Sequence, residues 1–276
     1  ASDVYKRQVL ESEGNMMEWH NPMYKFRDTV KNDSQKTWIP TSALNYDGKF
    51  IENYIEGYQT LYVEGREMVS LEIESEKVNV GVRISSQRLP ERILTIHFKL
   101  EEKNPIEFQR SFNKLMRLLY RDKDVEIHFN DELDMYYYGR YQTCDNIPGN
   151  VHSVISSFSI ICSDPRKYTR IFETNGIVAE YLPYEVAPIS ISLKANNDGN
   201  LRITNGRQNI SVTNSMIKKG DFIEMDIAEG KVFVNGVNKT RILDLTSSFK
   251  NFMVRTGDLI KCDNGTPLIQ YRGVWL

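Results

Sequence analysis

Apolar and polar positions alternate in short runs along much of the chain. Val69, Leu71 and Ile73 alternate with Ser70, Glu72 and Glu74. Leu94, Ile96, Phe98 and Leu100 alternate with Thr95, His97 and Lys99, and Val125, Ile127 and Phe129 with Glu126 and His128. Successive side chains of a strand point to opposite faces, so each run predicts a strand with one buried and one wetted face. Val154, Phe158, Ile160 and Cys162 extend the pattern through Val151–Cys162. One segment departs from it. Phe108, Phe112, Leu115, Met116 and Leu119 fall on a single helical stripe, which predicts a helix over 106–120. Asn104 is placed to cap it, Pro105 suits the first helical position, and Glu107 completes a capping-box-like spacing.

The pattern also predicts two domains. Ser163-Asp164-Pro165 is a turn signal, and the stretch through Pro183 and Pro188 has no sustained period. Beyond it only short strands are expected: Ile189–Leu193, Leu201–Ile203, Ile210–Val212, Phe222–Ile227, Lys231–Val234, Phe249–Val254 and Leu268–Tyr271. Asn196–Gly199, Glu229-Gly230 and Asn235-Gly236 supply turns. Seven short strands in so short a span predict a β-sandwich or jelly roll. The expected organisation is a leader over 1–22, an α+β N-terminal domain over 23–170 and an all-β domain over 171–276. Asp3–Gln8 resembles the translation of a transposon-end adaptor used in DNA library preparation, so the leader is read as non-native or disordered. Met16 or Met17 is the expected natural start.

Charge removes some classes of partner. Lys and Arg number 35 against 37 Asp and Glu, which gives no electrostatic case for nucleic acid or an anionic membrane. The apolar runs fall far short of the roughly 20 residues that span a bilayer. Cys144, Cys162 and Cys262 form no C-x-x-C pair and read as reduced thiols, neither a disulfide framework nor a zinc site.

Catalytic spacing is missing. His20, His97, His128 and His152 have no second ligand at metal-binding spacing, and His97 and His128 read as solvated imidazoles on polar strand faces. There is no H-E-x-x-H, no G-x-S-x-G and no G-x-x-x-x-G-K, so no cofactor is expected. Asp131-Glu132-Leu133-Asp134 offers carboxylates for a cation or an acid/base pair, but its place between a strand and Tyr136-Tyr137-Tyr138 favours an acidic turn. Asn196–Asn200 resembles part of a calcium loop without the closing Glu, and also reads as a turn. Asn32, Asn209, Asn238 and Asn264 open glycosylation-type sequons that read as chance matches.

The order of several strings is more informative. Met23-Tyr-Lys-Phe-Arg-Asp-Thr29, Thr41-Ser-Ala-Leu-Asn-Tyr46 and Ile55-Glu-Gly-Tyr-Gln-Thr-Leu61 precede Val63-Glu-Gly-Arg-Glu67 and Arg88-Leu-Pro-Glu-Arg92. Phe129–Asp134, Tyr136–Gly139, Cys162–Tyr168 and Tyr271-Arg-Gly-Val-Trp-Leu276 follow the helix. This succession, over about residues 23–276, resembles the distal tail protein (Dit) family of siphophages, the Sipho_tail group. The resemblance implies a virion protein assembled in the bacterial cytoplasm. It implies hexameric rings that meet the tail-tube protein on one face and a tail-associated, fibre-like or lysin-type protein on the other. It further implies an N-terminal ring-forming domain and a galectin-like C-terminal sandwich able to dock receptor-binding proteins.

Ring contacts are heterologous, so each subunit needs two complementary patches. Arg83–Arg92, polar and basic and interrupted by Pro90, is the candidate contact loop, with Arg83, Gln87, Arg88 and Arg92 as its side chains. Trp275 reads as a core plug or clasp. Two other functions stay open: a host-surface glycan-binding module, and a cell-wall glycosidase using Asp131 and Asp134, which would need its carboxyls about 5–10 Å apart across a cleft.

Overall fold

The computed structural model describes residues 39–68, 70–213 and 217–276. The leader over 1–22, the Met16/Met17 start, the Met23–Thr29 string, His20, Asn32 and Val69 lie outside them.

The N-terminal half is built on one curved antiparallel sheet. Its strands are β1 (Leu44–Tyr46), β2 (Lys49–Phe50), β3 (Tyr58–Glu64), β6 (Arg92–Glu101), β7 (Val125–Phe129), β8 (Glu132–Cys144) and β9 (Ser153–Cys162), in the order β2-β1-β7-β8-β9-β6-β3. The alternation read from sequence decides which face is covered. Leu94, Ile96, Phe98 and Leu100 from β6, Phe158 and Ile160 from β9, and Ile127 and Phe129 from β7 are all buried. Helix α1 (Pro105–Leu119) closes this core with Phe108, Leu115 and Leu119. The helix lies one residue earlier than the expected span. Asn104 caps it as expected, its side chain accepting from the Ile106 and Glu107 amides at 3.1 and 2.9 Å.

The connection from β3 to β6 leaves the sheet as a separate two-stranded hairpin, β4 (Glu72–Lys77) and β5 (Val82–Arg88). The alternation from Val69 to Glu74 predicts a strand with one buried face. The strand begins at Glu72, and Leu71 and Ile73 are exposed. Alternation reports the two faces of a strand but not whether anything covers either one.

The C-terminal half is a sandwich. Its larger sheet runs β11 (Phe172–Thr174), β19 (Leu268–Tyr271), β12 (Ser190–Lys194), β15 (Phe222–Asp226), β16 (Lys231–Val234) and β17 (Val237–Asn238). The smaller sheet is β14 (Asn209–Val212), β13 (Leu201–Thr204) and β18 (Lys261–Cys262). Ile191, Leu193, Ile223, Met225, Val232 and Ile269 from the first sheet meet Leu201, Ile203, Ile210 and Val212 from the second in one buried core. Between β16 and β17, Asn235 and Gly236 take φ of 51° and 77°, as a two-residue primed turn requires.

Two expectations are corrected here. Phe249–Val254 is not a strand: Phe249–Asn251 forms a 3-10 turn that plugs Phe249 and Phe252 into the core, and Val254 makes only a single bridge to Val186. The stretch after Ser163, expected to lack a period, carries β10 (Lys167–Thr169) and then β11. β10 pairs with β8 and with β20 (Val274–Trp275). Strands of two or three residues are too short to register as alternation.

Candidate assembly surface

The hairpin sorts its side chains by chemistry. Cross-strand partners share a face, and the pairs Ile73–Gln87, Ser75–Ile84 and Lys77–Val82 alternate with Glu72–Arg88, Glu74–Ser86 and Glu76–Arg83. The register slips once, between Glu74 and Ser75, so Ser85 is an extra residue and the alternation survives on both sides of it. The second face is largely satisfied within itself. Arg88 donates to Glu72 at 2.5 Å and Ser86 to Glu74 at 2.7 Å, and Glu76 stands opposite Arg83. The first face carries Ile73, Val82 and Ile84, which are 51%, 60% and 56% exposed. Val80 at the tip is exposed further still. A two-stranded ribbon with a bare apolar face is marginal in water by itself.

The root of the hairpin, by contrast, is rigidly held. Gly65 has φ of 85°, and a Cβ there would lie 1.9 Å from the Ile93 carbonyl oxygen, so only glycine lets the chain leave the sheet at this point. Arg92 is 2% exposed. It donates from Nε to the Pro165 carbonyl at 2.8 Å, and from Nη1 to the Gly65 and Glu67 carbonyls at 2.7 and 2.5 Å. Its guanidinium lies over the Tyr137 ring at 5.7 Å. Arg66 makes a bidentate pair with Asp131 at 2.5 and 3.0 Å and covers the Phe129 ring at 4.9 Å.

The sequence-predicted contact residues therefore divide. Arg83, Gln87 and Arg88 are exposed on β5, a strand and not a loop. Arg92 is not a surface residue, because three backbone carbonyls and an aromatic ring hold it inside. Sequence reasoning picked the polar half of the ribbon and missed the apolar half, although Val78, Val80, Val82 and Ile84 alternate legibly.

The other candidates resolve as architecture. Asp131 is engaged by Arg66, while Glu132 accepts from Lys167 at 3.0 Å and Tyr137 at 2.8 Å, so this acidic turn pins neighbouring elements. Asn196–Asn200 wraps Asn264, whose buried side chain accepts from the Asn196 and Asn197 amides and donates to the Asn197 and Asn200 carbonyls. Its burial closes the Asn264 sequon to modification. His97 and His128 are not freely solvated. His97 stacks on Tyr62 at 4.1 Å with Nε2 3.5 Å from Glu64, and His128 sits edge-on between Phe50 and Tyr136. Burial lowers the His128 pKa. Cys162 is buried, which pushes its thiol up to about 12. Among the described residues no group of three or more His, Cys, Asp or Glu is arranged to hold a metal ion. No helix among them is long and apolar enough to cross a membrane.

Residues 183–275 match the family model described as "Siphovirus-type tail component, C-terminal domain". The distal tail protein of Bacillus phage SPP1 is 34% identical over 132 residues, which cover 46% of this chain and 50% of that one. The chain is similar in these segments to the siphovirus-type tail components and to a distal tail protein. In the matched sequence it spans half the length of that relative. The crystal structure of SPP1 Dit superimposes with a TM-score of 0.71 at 20% identity, over 85% of this chain and 99% of the other. The fold thus extends well beyond the segment whose sequence is conserved with this family member. A phage P2 baseplate structure is more remote, with a TM-score of 0.45 and 7% identity.

Proposed function

We propose that this protein is a distal tail protein, a structural hub with no catalytic task and no cofactor, that assembles through its β4–β5 hairpin into a closed ring at the tip of a phage tail. The observation that carries this reading is the bare apolar face of Ile73, Val82 and Ile84 on a ribbon whose root is fixed by Arg92 and Arg66. A rigid mount would not be built under an unstable ribbon unless a second surface completed it. A second copy is the natural partner, since a heterologous contact of this kind repeats until it closes. The SPP1 relative is described as a paradigm of the hub adsorption apparatus in phages that infect Gram-positive hosts. In this reading, which follows the resemblance of the ordered sequence strings, the ring is six-fold and belongs to the virion, after assembly in the host cytoplasm. It joins the tail-tube protein to a tail-associated fibre or lysin-type protein and offers its outer sandwiches to receptor-binding proteins. The division at residues 170 and 171, with ring-forming sheet before and projecting sandwich after, is part of the same proposal.

Glycan binding by the C-terminal sandwich has less support. A cleft of about 380 Å³ there is lined by Asn200, Leu201, Arg202, Asn209, Ser211, Thr213, Asp244 and Asp263, with no aromatic ring to stack a sugar. Its carboxylates already accept from the backbone, Asp244 from Thr213 and Asp263 from Arg202.

The test is the mass and shape of the purified chain, alone and mixed with its tail-tube protein, by light scattering and negative-stain microscopy. Six-fold rings with a central hole are expected, and Ile73→Asp with Ile84→Asp should leave a folded monomer. A wild-type chain that remains monomeric in the mixture would overturn the proposal.

A further inference from the structure

Two chain segments, 167–174 and 268–275, run antiparallel and side by side between the two halves of the molecule. At one end Tyr168 pairs with Val274 and Lys167 with Trp275, as β10 and β20, and β10 also pairs with β8 of the N-terminal sheet. At the other end Phe172 pairs with Tyr271, Glu173 with Gln270 and Thr174 with Ile269, as β11 and β19, and β19 pairs with β12 of the sandwich. The two ladders are therefore parts of one ribbon shared by two sheets.

The registers of the ladders differ by a single residue. Thr169 still meets Gly273, through its amide to the Gly273 carbonyl at 3.0 Å and the Gly273 amide to Thr169 Oγ1 at 2.8 Å. Between that contact and the Phe172–Tyr271 pair, Arg170 and Ile171 stand against Arg272 alone. Two residues opposite one form a bulge, which bends and twists the strand that carries it. The bend lies at the junction.

Contacts around the bulge hold its shape. The Arg272 guanidinium lies 5.9 and 5.6 Å from the centres of the Tyr136 and Tyr138 rings, donates to the Tyr138 hydroxyl, and stands 3.6 Å from Glu126. Gly273 has no room for a side chain, because a Cβ there would lie 2.9 Å from Thr169 Cγ2 and 3.5 Å from Leu182 Cδ2. Trp275 meets the ring of Tyr181 at 6.2 Å. Tyr271, one residue before Arg272, is buried in the sandwich core, so this strand is anchored on both sides of the junction.

We infer that residues 272–275 are a strap that sets the angle between the N-terminal sheet and the C-terminal sandwich, with the bulge at 170–171 as the hinge it locks. Without the strap each half keeps its own core, and the connection falls to the single strand through Arg170. This holds for one chain by itself and does not depend on ring formation.

The test uses the full chain with Arg272→Ala or Gly273→Val, compared with wild type at concentrations where each is monomeric. The readouts are small-angle scattering and the rate of tryptic cleavage at Arg170, whose side chain is exposed while its backbone lies in the ribbon. In both variants cleavage should rise about tenfold or more, as local opening of a paired segment predicts, with a larger maximum dimension and native circular dichroism. Gly273→Val carries the greater steric insult. If it fails to fold, Arg272→Ala decides the matter, because it removes only a partly buried side chain. Unchanged scattering and cleavage in folded Arg272→Ala would overturn the strap, whether or not the chain forms rings.

Discussion

Arg92 shows how much one buried charge can organise. Three carbonyls from two segments distant in sequence converge on it, and no carboxylate is among its hydrogen-bond partners. Truncation removes the donor those carbonyls share and opens a void, so Arg92→Ala should cost roughly 3 kcal/mol in chemical denaturation. Arg92→Lys should recover only part of it, since one ammonium cannot reproduce the planar fork. Asp164 supplies the pH dependence. Burial raises its pKa, but hydrogen bonds from Arg166 and the Tyr168 hydroxyl outweigh this and hold it below the usual carboxylate value. A depressed carboxylate contributes stability above its unfolded pKa and loses it as the pH falls through the folded one. Asp164→Asn should therefore cost about 1 kcal/mol at pH 7, kept small by partial exposure. The gap to wild type should close in acid denaturation below about pH 4. The position of Arg92 was not legible in the sequence, where it stands in a polar, basic run. What buries it is a carbonyl at Pro165, 73 positions away.

At the scale of elements, the local signals were the readable ones. Helix α1 follows from its stripe and its cap, and the cap can be priced by mutation: Asn104→Ala should lower stability by about 1 kcal/mol. Of the hairpin, only β4 was legible in part, from the alternation over 69–74, while β5 read as a loop and the exposure of both was not legible. Alternation at Leu71 and Ile73 is identical to that at Leu94 and Ile96, and only the second pair is buried, beside β9. Introducing Asp at Ile73 and Ile84 should consequently leave the thermal midpoint within a few degrees of wild type while abolishing self-association in sedimentation. The same substitution at Leu94 and Ile96 should prevent folding, because it buries unpaired charge. This contrast separates an assembly surface from a core.

For the whole molecule, the sequence announced two β-rich halves because turn residues punctuate short runs throughout 189–271. It did not announce how the halves are joined. β10, β11 and β20 are two or three residues long, and their pairing joins segments about a hundred positions apart. The candidate site was half legible: β5 was chosen for its charges, whereas the exposed apolar Val82 and Ile84 on the same strand were passed over.

The doubled connection also gives the molecule a direction of strength. A load drawing the halves apart along the ribbon places the bonds between β10 and β20 in shear, where they must yield together. A load that tilts one half sideways peels the same bonds one at a time, beginning at Trp275. A molecule with this joint would resist tension along the ribbon and give way to torque.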